Sequence, residues 1–208
     1  MDWQSMLFLG AFHGINPGMG WLFAVALGMQ QGSARGVWRA LPPIALGHAL
    51  AVGIVVLAVG LARLAVPIAS LNVFVAVVLM TLGIYRLWRH RHPRFGGMQV
   101  GFRDLVAWSF LMASAHGAGF MVLPFVMPTP ATVTAAGHDH AHHVGVASAN
   151  VAALAVGLHT LAYFTLMVLA AWVVYHKLGL GLLRKAWFNV DWLWAAALVV
   201  TGGVVLLK

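Results

Sequence analysis

A pattern that occurs twice constrains this chain most: an apolar segment carrying His-Gly, a second carrying a lone His, and a third opening with Asn-Val. In the first half these are His13-Gly14, His48 and Asn72-Val73; in the second half they are His116-Gly117, His159 and Asn189-Val190. Three apolar segments per copy is an odd number, so the second copy has to enter a bilayer from the side opposite the first. The sequence therefore predicts an inverted repeat. Such repeats place a site at their shared interface near mid-bilayer, where an ionisable residue is costly and is a functional candidate by default.

Composition supports a membrane class. With 62% apolar and 8% charged residues in 208, and a mean hydropathy of +0.91, the chain carries more apolar surface than a soluble domain of this size can bury. Runs long enough to cross about 30 Å of hydrocarbon as helix fall at about residues 5–29, 42–66, 72–88, 105–127, 147–175 and 188–207. The predicted fold is an all-α integral membrane protein with six transmembrane helices in two inverted three-helix repeats. The first repeat covers residues 1–95, a cytoplasmic linker 96–104, and the second repeat 105–208. The first run is not expected to be a cleaved signal, because no basic segment precedes it and it contains His13, Asn16 and Pro17.

Lysine and arginine set the expected orientation. Arg35, Arg39, Arg86, Arg89, Arg91, Arg94, Arg103, Lys177, Arg184 and Lys185 follow the first, third and fifth runs, against Arg63 and Lys208 on the other side. This bias puts the former loops in the cytoplasm and both termini outside the cell (inner) membrane. The net charge of +8 then reads as a topology signal toward lipid headgroups, and no nucleic-acid partner is expected. Trp38, Trp88, Trp108, Trp187 and Trp192 fall near the inferred cytoplasmic boundary, as an aromatic belt would. The lack of cysteine excludes disulfides and thiolate ligands. Glutamate is also missing, and Asp2, Asp104, Asp139 and Asp191 lie at or beyond the ends of apolar runs. Histidine is then the one residue type able to titrate inside the membrane near neutral pH.

The stretch 128–148 does not look membrane-embedded. It is rich in Pro, Thr, Ala and Gly around Gly137-His138-Asp139-His140-Ala141-His142-His143. Such composition cannot bury a core, so an external mobile loop is expected, with His138, His140, His142 and His143 as an accessory metal-collecting arm. Imidazole suits Zn, Ni, Co and Cu. The alternative is a solvated loop with incidental affinity.

The intramembrane residues carry the sharper signal. In Gly10-Ala11-Phe12-His13-Gly14-Ile15-Asn16-Pro17-Gly18-Met19-Gly20 the Asn-Pro-Gly turn should break the first helix and free backbone carbonyls. Gly10, Gly14 and Gly18 form a four-spaced face that lets another helix approach. Ser109, Ala113 and Gly117 give the second copy its equivalent, and Met121 and Pro124 follow there as Met19 and Pro17 do in the first. Counting residues from the run ends puts His13 and His116 at mid-membrane, with His48 and His159 at similar depth. Four imidazoles from four helices could hold a transition metal, with Met19, Met112 and Met121 offering thioethers. Against this stands the structural reading: histidines that tie helices together by hydrogen bonds, and methionines that pack. Asn72 and Asn189 most simply act as N-caps of their helices.

The three-plus-three arrangement with His-Gly and Pro-Gly in the first helix resembles the LysE superfamily of small six-helix exporters, which includes nickel/cobalt exporters and the TauE and DsbD/CcdA branches. Met121-Val122-Leu123-Pro124-Phe125-Val126-Met127-Pro128 is similar to the Cys-Val-Leu-Pro…Pro stretch of the CcdA branch, with Met121 at the cysteine position. Without cysteine the electron-relay role of that branch does not carry over, and the His-Ala…Asp-Pro-Asp-His pattern of nickel/cobalt permeases is missing. The resemblance implies fold and transport class. The expected function is therefore transport, as efflux, of a transition-metal cation (Ni, Co, Zn or Cu) through His13, His48, His116 and His159, with no catalytic residues and no tightly bound cofactor. The alternatives are a b-type haem protein that moves electrons across the membrane, or a non-catalytic subunit of a larger membrane complex. Assembly as a homo-oligomer stays open.

Overall fold

The computed structural model describes residues 3–62, 65–88, 100–126, 141–178 and 183–206, and every regular element among them is helical. In chain order these are α1 (Trp3–Ile15), a 3₁₀ turn (Pro17–Met19), α2 (Trp21–Gln30), α3 (Ala34–Ala62) and α4 (Ile68–Trp88). The second half holds α5 (Phe102–Ala115), α6 (Ala118–Val126), α7 (Ala141–Val173) with a π-helical turn at Val174–Leu178, and α8 (Leu183–Leu206). Among the described residues two helical stretches are long and apolar enough to cross a membrane, α3 and, within α7 and its extension, Asn150–Lys177; α5 and α6 pass the same test only when taken together across their bend.

Both His-Gly segments are broken helices. The first breaks where Asn-Pro-Gly predicts it. Asn16 adopts an extended conformation, its Oδ1 accepts the Gly18 N–H at 2.9 Å, and Gly20 takes a φ of +129° that L side chains rarely adopt. The second break is not at Pro124, which sits inside α6; it falls at His116-Gly117, where α5 and α6 meet at a bend of 61°. The cause is Gly117 at φ +70°, a conformation glycine takes at little cost.

Several boundaries move from the sequence expectation. α3 begins at Ala34 and runs through Pro42 and Pro43, because Val37, Ala40 and Leu41 are buried and extend its packed face. α4 begins at Ile68, with the Pro67 carbonyl accepting from Leu71 N–H, and α8 begins at Leu183. Asn72 and Asn189 therefore lie inside helices and are not their N-caps. α7 begins at Ala141, so His142 and His143 belong to its first turn and not to an irregular loop; His138 and His140 lie outside the described residues.

The main helix pairs are α1 with α7, α3 with α5, and α4 with α8. Glycine makes the first two close. A Cβ on Gly10 or Gly14 would run into the backbone carbonyls of His159 or Tyr163 on α7, and one on Gly47 would run into that of Val106 on α5. Across the second interface Ser109 Oγ–H donates to the Ile44 carbonyl at 2.6 Å. The buried core lies along these seams, while Phe8, Leu57 and Val200 are 73%, 62% and 65% exposed on the outer surface.

Gly14→Ala should lower the unfolding temperature in detergent. Gly53→Ala, whose Cβ would meet nothing within 4 Å, should leave that temperature unchanged or raise it, since alanine in a helix is favoured over glycine by ~0.5–1 kcal/mol. Equal responses in a thermal melt would rule out so close a contact between α1 and α7.

Candidate functional site

The four histidines singled out by the repeat converge where the α1–α7 and α3–α5 pairs meet. His13 occupies the last turn of α1, His48 the middle of α3, His116 the C-cap of α5 and His159 the middle of α7. All four are 0% exposed. Asn16 and Ser109 are the other buried polar side chains among the described residues. The His13 ring lies edge-on to both His48 and His159, with centroids 5.5 and 4.9 Å away.

Two of the rings have assignable tautomers. His13 Nδ1 is 2.7 Å from the Leu9 carbonyl and His116 Nδ1 is 2.7 Å from the Met112 carbonyl, each four residues back along its helix. A carbonyl only accepts, so both Nδ1 atoms carry hydrogen and both Nε2 atoms carry lone pairs. The two His-Gly segments thus share one contact, the ring tied to the carbonyl four residues back. His13 Nε2 has no hydrogen-bond partner in the protein.

The other pair is frustrated. His48 Nε2 and His159 Nε2 stand 3.4 Å apart, so one donates to the other; Nδ1 of His48 has no partner in the protein, and Nδ1 of His159 makes no close bond although the Met6 carbonyl lies near its ring. If His48 donates, neutral His159 carries its proton on an unmet Nδ1; if His159 donates, the roles reverse. Either way one N–H and one lone pair stay buried and unmet, each at a cost of about 1–3 kcal/mol. Buried groups left so are uncommon and call for a ligand or a role.

Two aromatic residues that the sequence analysis did not place at the site wall it in. Trp194 on α8 is edge-on to His13 at 4.5 Å and to His116 at 5.8 Å, and its Nε1–H donates to the His116 carbonyl at 3.0 Å. Tyr163 on α7 stacks on His48 at 3.9 Å, and its O–H donates to the Met19 carbonyl at 2.7 Å. Tyr163 follows His159 by one helical turn, so spacing alone could have put it on the same face. Trp194 has no such signal. It comes from a helix whose only repeat marker was Asn189.

These contacts also answer what the helix breaks do with their carbonyls. Those of Ile15, Met19 and His116 accept from Trp21 Nε1–H, Tyr163 O–H and Trp194 Nε1–H respectively. The breaks are closed by aromatic donors, each of which takes one lone pair of its carbonyl. Met19 and Met121 are buried within the apolar core, and Met112 is buried as well. Among the described residues no three His, Asp or Glu side chains are gathered closely enough to hold a metal ion as they stand. Asp104 is spent at the start of α5, accepting the Gly101 N–H at 2.9 Å.

No family profile, curated protein or solved structure matches the chain. The likeness to LysE-type exporters rests on the short motifs alone.

Tyr163→Phe removes the partner of the buried Met19 carbonyl and should destabilise the protein by about 1–3 kcal/mol. Tyr85→Phe, at a side chain 54% exposed, should not. A thermal melt in detergent compares the two, and matching values would exclude the Tyr163 bond from holding the break.

Proposed function

We propose that the chain is a six-span membrane transporter of two inverted three-helix repeats, moving a transition-metal cation through His13, His48, His116 and His159. The repeat is supported by the pairing of helices. Taking α1–α2, α3 and α4 as one copy and α5–α6, α7 and α8 as the other, each copy's first unit packs on the other's second, and third packs on third. Exchanging the copies leaves that pattern unchanged, as a two-fold relation requires. α4 and α8, of 21 and 24 residues, rise about 31 and 36 Å, and their apolar parts are Ala69–Tyr85 and Trp194–Leu206. Large apolar side chains on the outer surface suit lipid contact.

The observation that carries the metal reading is the His48–His159 pair. Imidazole nitrogens around a tetrahedral ion at about 2.0–2.1 Å stand about 3.3–3.4 Å apart, and these two stand 3.4 Å apart. A cation seated on both Nε2 lone pairs would leave one proton on each Nδ1 and replace the Nε2–Nε2 contact by two metal bonds, with both N–H groups still to be met. The unpartnered Nε2 of His13, edge-on to both, is the nearest further donor. With only two ligands in close register, the site suits an ion in passage more than one held for storage. A third ligand would come in as the repeats move, consistent with alternating access. Hard cations want oxygen ligands, and no carboxylate among the described side chains reaches the cluster.

The haem alternative finds less support. A macrocycle ligated by His48 and His159 would have to pass where His13 lies edge-on to both rings and Tyr163 stacks on His48.

In vesicles containing the purified protein, nickel or cobalt uptake should fall to background on His48→Ala or His159→Ala, and at least tenfold on His13→Ala, since removing a ligand or its orienting contact costs about 10–100-fold. Full uptake by all three variants, or a stoichiometric Soret band in the parent protein, would overturn the proposal.

A further inference from the structure

The histidine cluster offers unmet donors as well as unmet lone pairs, and a bare cation satisfies only the lone pairs. Asn16 is 3% exposed, sits three residues beyond His13 in the first break, and has its Oδ1 committed to the Gly18 N–H at 2.9 Å. That bond fixes the amide orientation. Its Nδ2, carrying two N–H groups, has no partner in the protein. The amide also stands next to the cluster: a Cβ on Gly18 would lie 3.2 Å from Asn16 Oδ1 and 3.4 Å from His116 Nε2, so both groups crowd the same glycine. A break-forming asparagine needs only its Oδ1. A second, fully buried donor face does nothing for the turn.

Charge makes the same point independently. The described side chains around the four imidazoles are neutral, and Asp104, the acidic residue whose side chain is described, is exposed at the start of α5. Desolvating a divalent ion in such surroundings, with nothing to offset its charge, is prohibitive. The ion therefore has to bring its own counter-charge. A metal that keeps one small anionic ligand presents a net charge of one in place of two, and the anion's lone pairs are what the Asn16 N–H groups require.

Building on the transport reading above, we propose that the cargo is a metal cation carrying one small inorganic anion, a halide or hydroxide, and that Asn16 Nδ2 holds the anion while imidazole Nε2 atoms hold the metal. Asn16 is then a selectivity residue of the site. No bond is made or broken beyond ligand exchange on the metal.

Asn16→Asp tests this without removing the turn. The carboxylate still accepts the Gly18 N–H, and it supplies in the protein the negative charge that the parent takes from solution. Nickel uptake into vesicles is measured for parent and Asn16→Asp in two arms: chloride replaced stepwise by gluconate at fixed pH, and pH raised at low chloride. The parent should lose about tenfold in uptake as both anions become scarce, the scale of one hydrogen bond to a charged group, whereas Asn16→Asp should hold its rate. The ratio of the two should converge as chloride rises if halide is the source, and as pH rises if hydroxide is. Both proteins share the same histidines, and a pH series at saturating chloride measures how far the new carboxylate shifts their titration, so that this contribution is subtracted from the ratio. A ratio that neither anion moves, with the parent still transporting, would overturn this inference alone; a parent that moves no nickel under any condition would overturn the transport reading itself.

Discussion

The organisation of this protein depends on keeping four imidazoles dry and in register. Histidine at the crossing of two helix pairs is costly unless each ring nitrogen is met, and only part of that demand is met here. Nδ1 of His13 and of His116 is tied to the carbonyl four residues back, while His48 and His159 share one bond between them. Contact close enough for this needs Gly10 and Gly14 against α7 and Gly47 against α5. The broken helices need Trp21, Tyr163 and Trp194 to close their freed carbonyls. The unmet nitrogens that remain lie at the place where the two halves meet.

Residue spacing made much of this legible. Among the described residues each helix overlaps an apolar run, because a stretch of that length and hydropathy has few other stable forms, although α3 starts eight residues before its run. The repeated His-Gly and lone His picked out the four rings, and the structure brings all of them into one cluster. Asn16-Pro17-Gly18 marked the first break correctly, since proline removes a donor and asparagine supplies an acceptor for the turn.

What sequence reasoning missed has identifiable causes. Pro124, which follows in the second copy as Pro17 does in the first, leaves α6 unbroken; the bend comes from Gly117, whose positive φ leaves no trace in a hydropathy pattern. Asn72 and Asn189 flank apolar runs as helix caps do, but the helices start earlier, at Ile68 and Leu183: the mostly apolar residues 68–71 extend α4, and a segment with Arg184 and Lys185 extends α8. Trp194 was indistinguishable from boundary tryptophans until a helix from the other end of the chain placed it between His13 and His116. Long-range partners of this kind are set by packing, not by local pattern.

The central claim is that these imidazoles bind metal through Nε2. It is tested most directly by ¹⁵N NMR of histidine-labelled protein in bilayers, with His138, His140, His142 and His143 replaced by serine so that the remaining signals come from outside the His-rich stretch. Zinc addition should shift the Nε2 resonances of His48 and His159 to those of metal-bound imidazole while His13 and His116 keep Nδ1–H. Unchanged Nε2 resonances at all four buried histidines under saturating zinc would contradict the account.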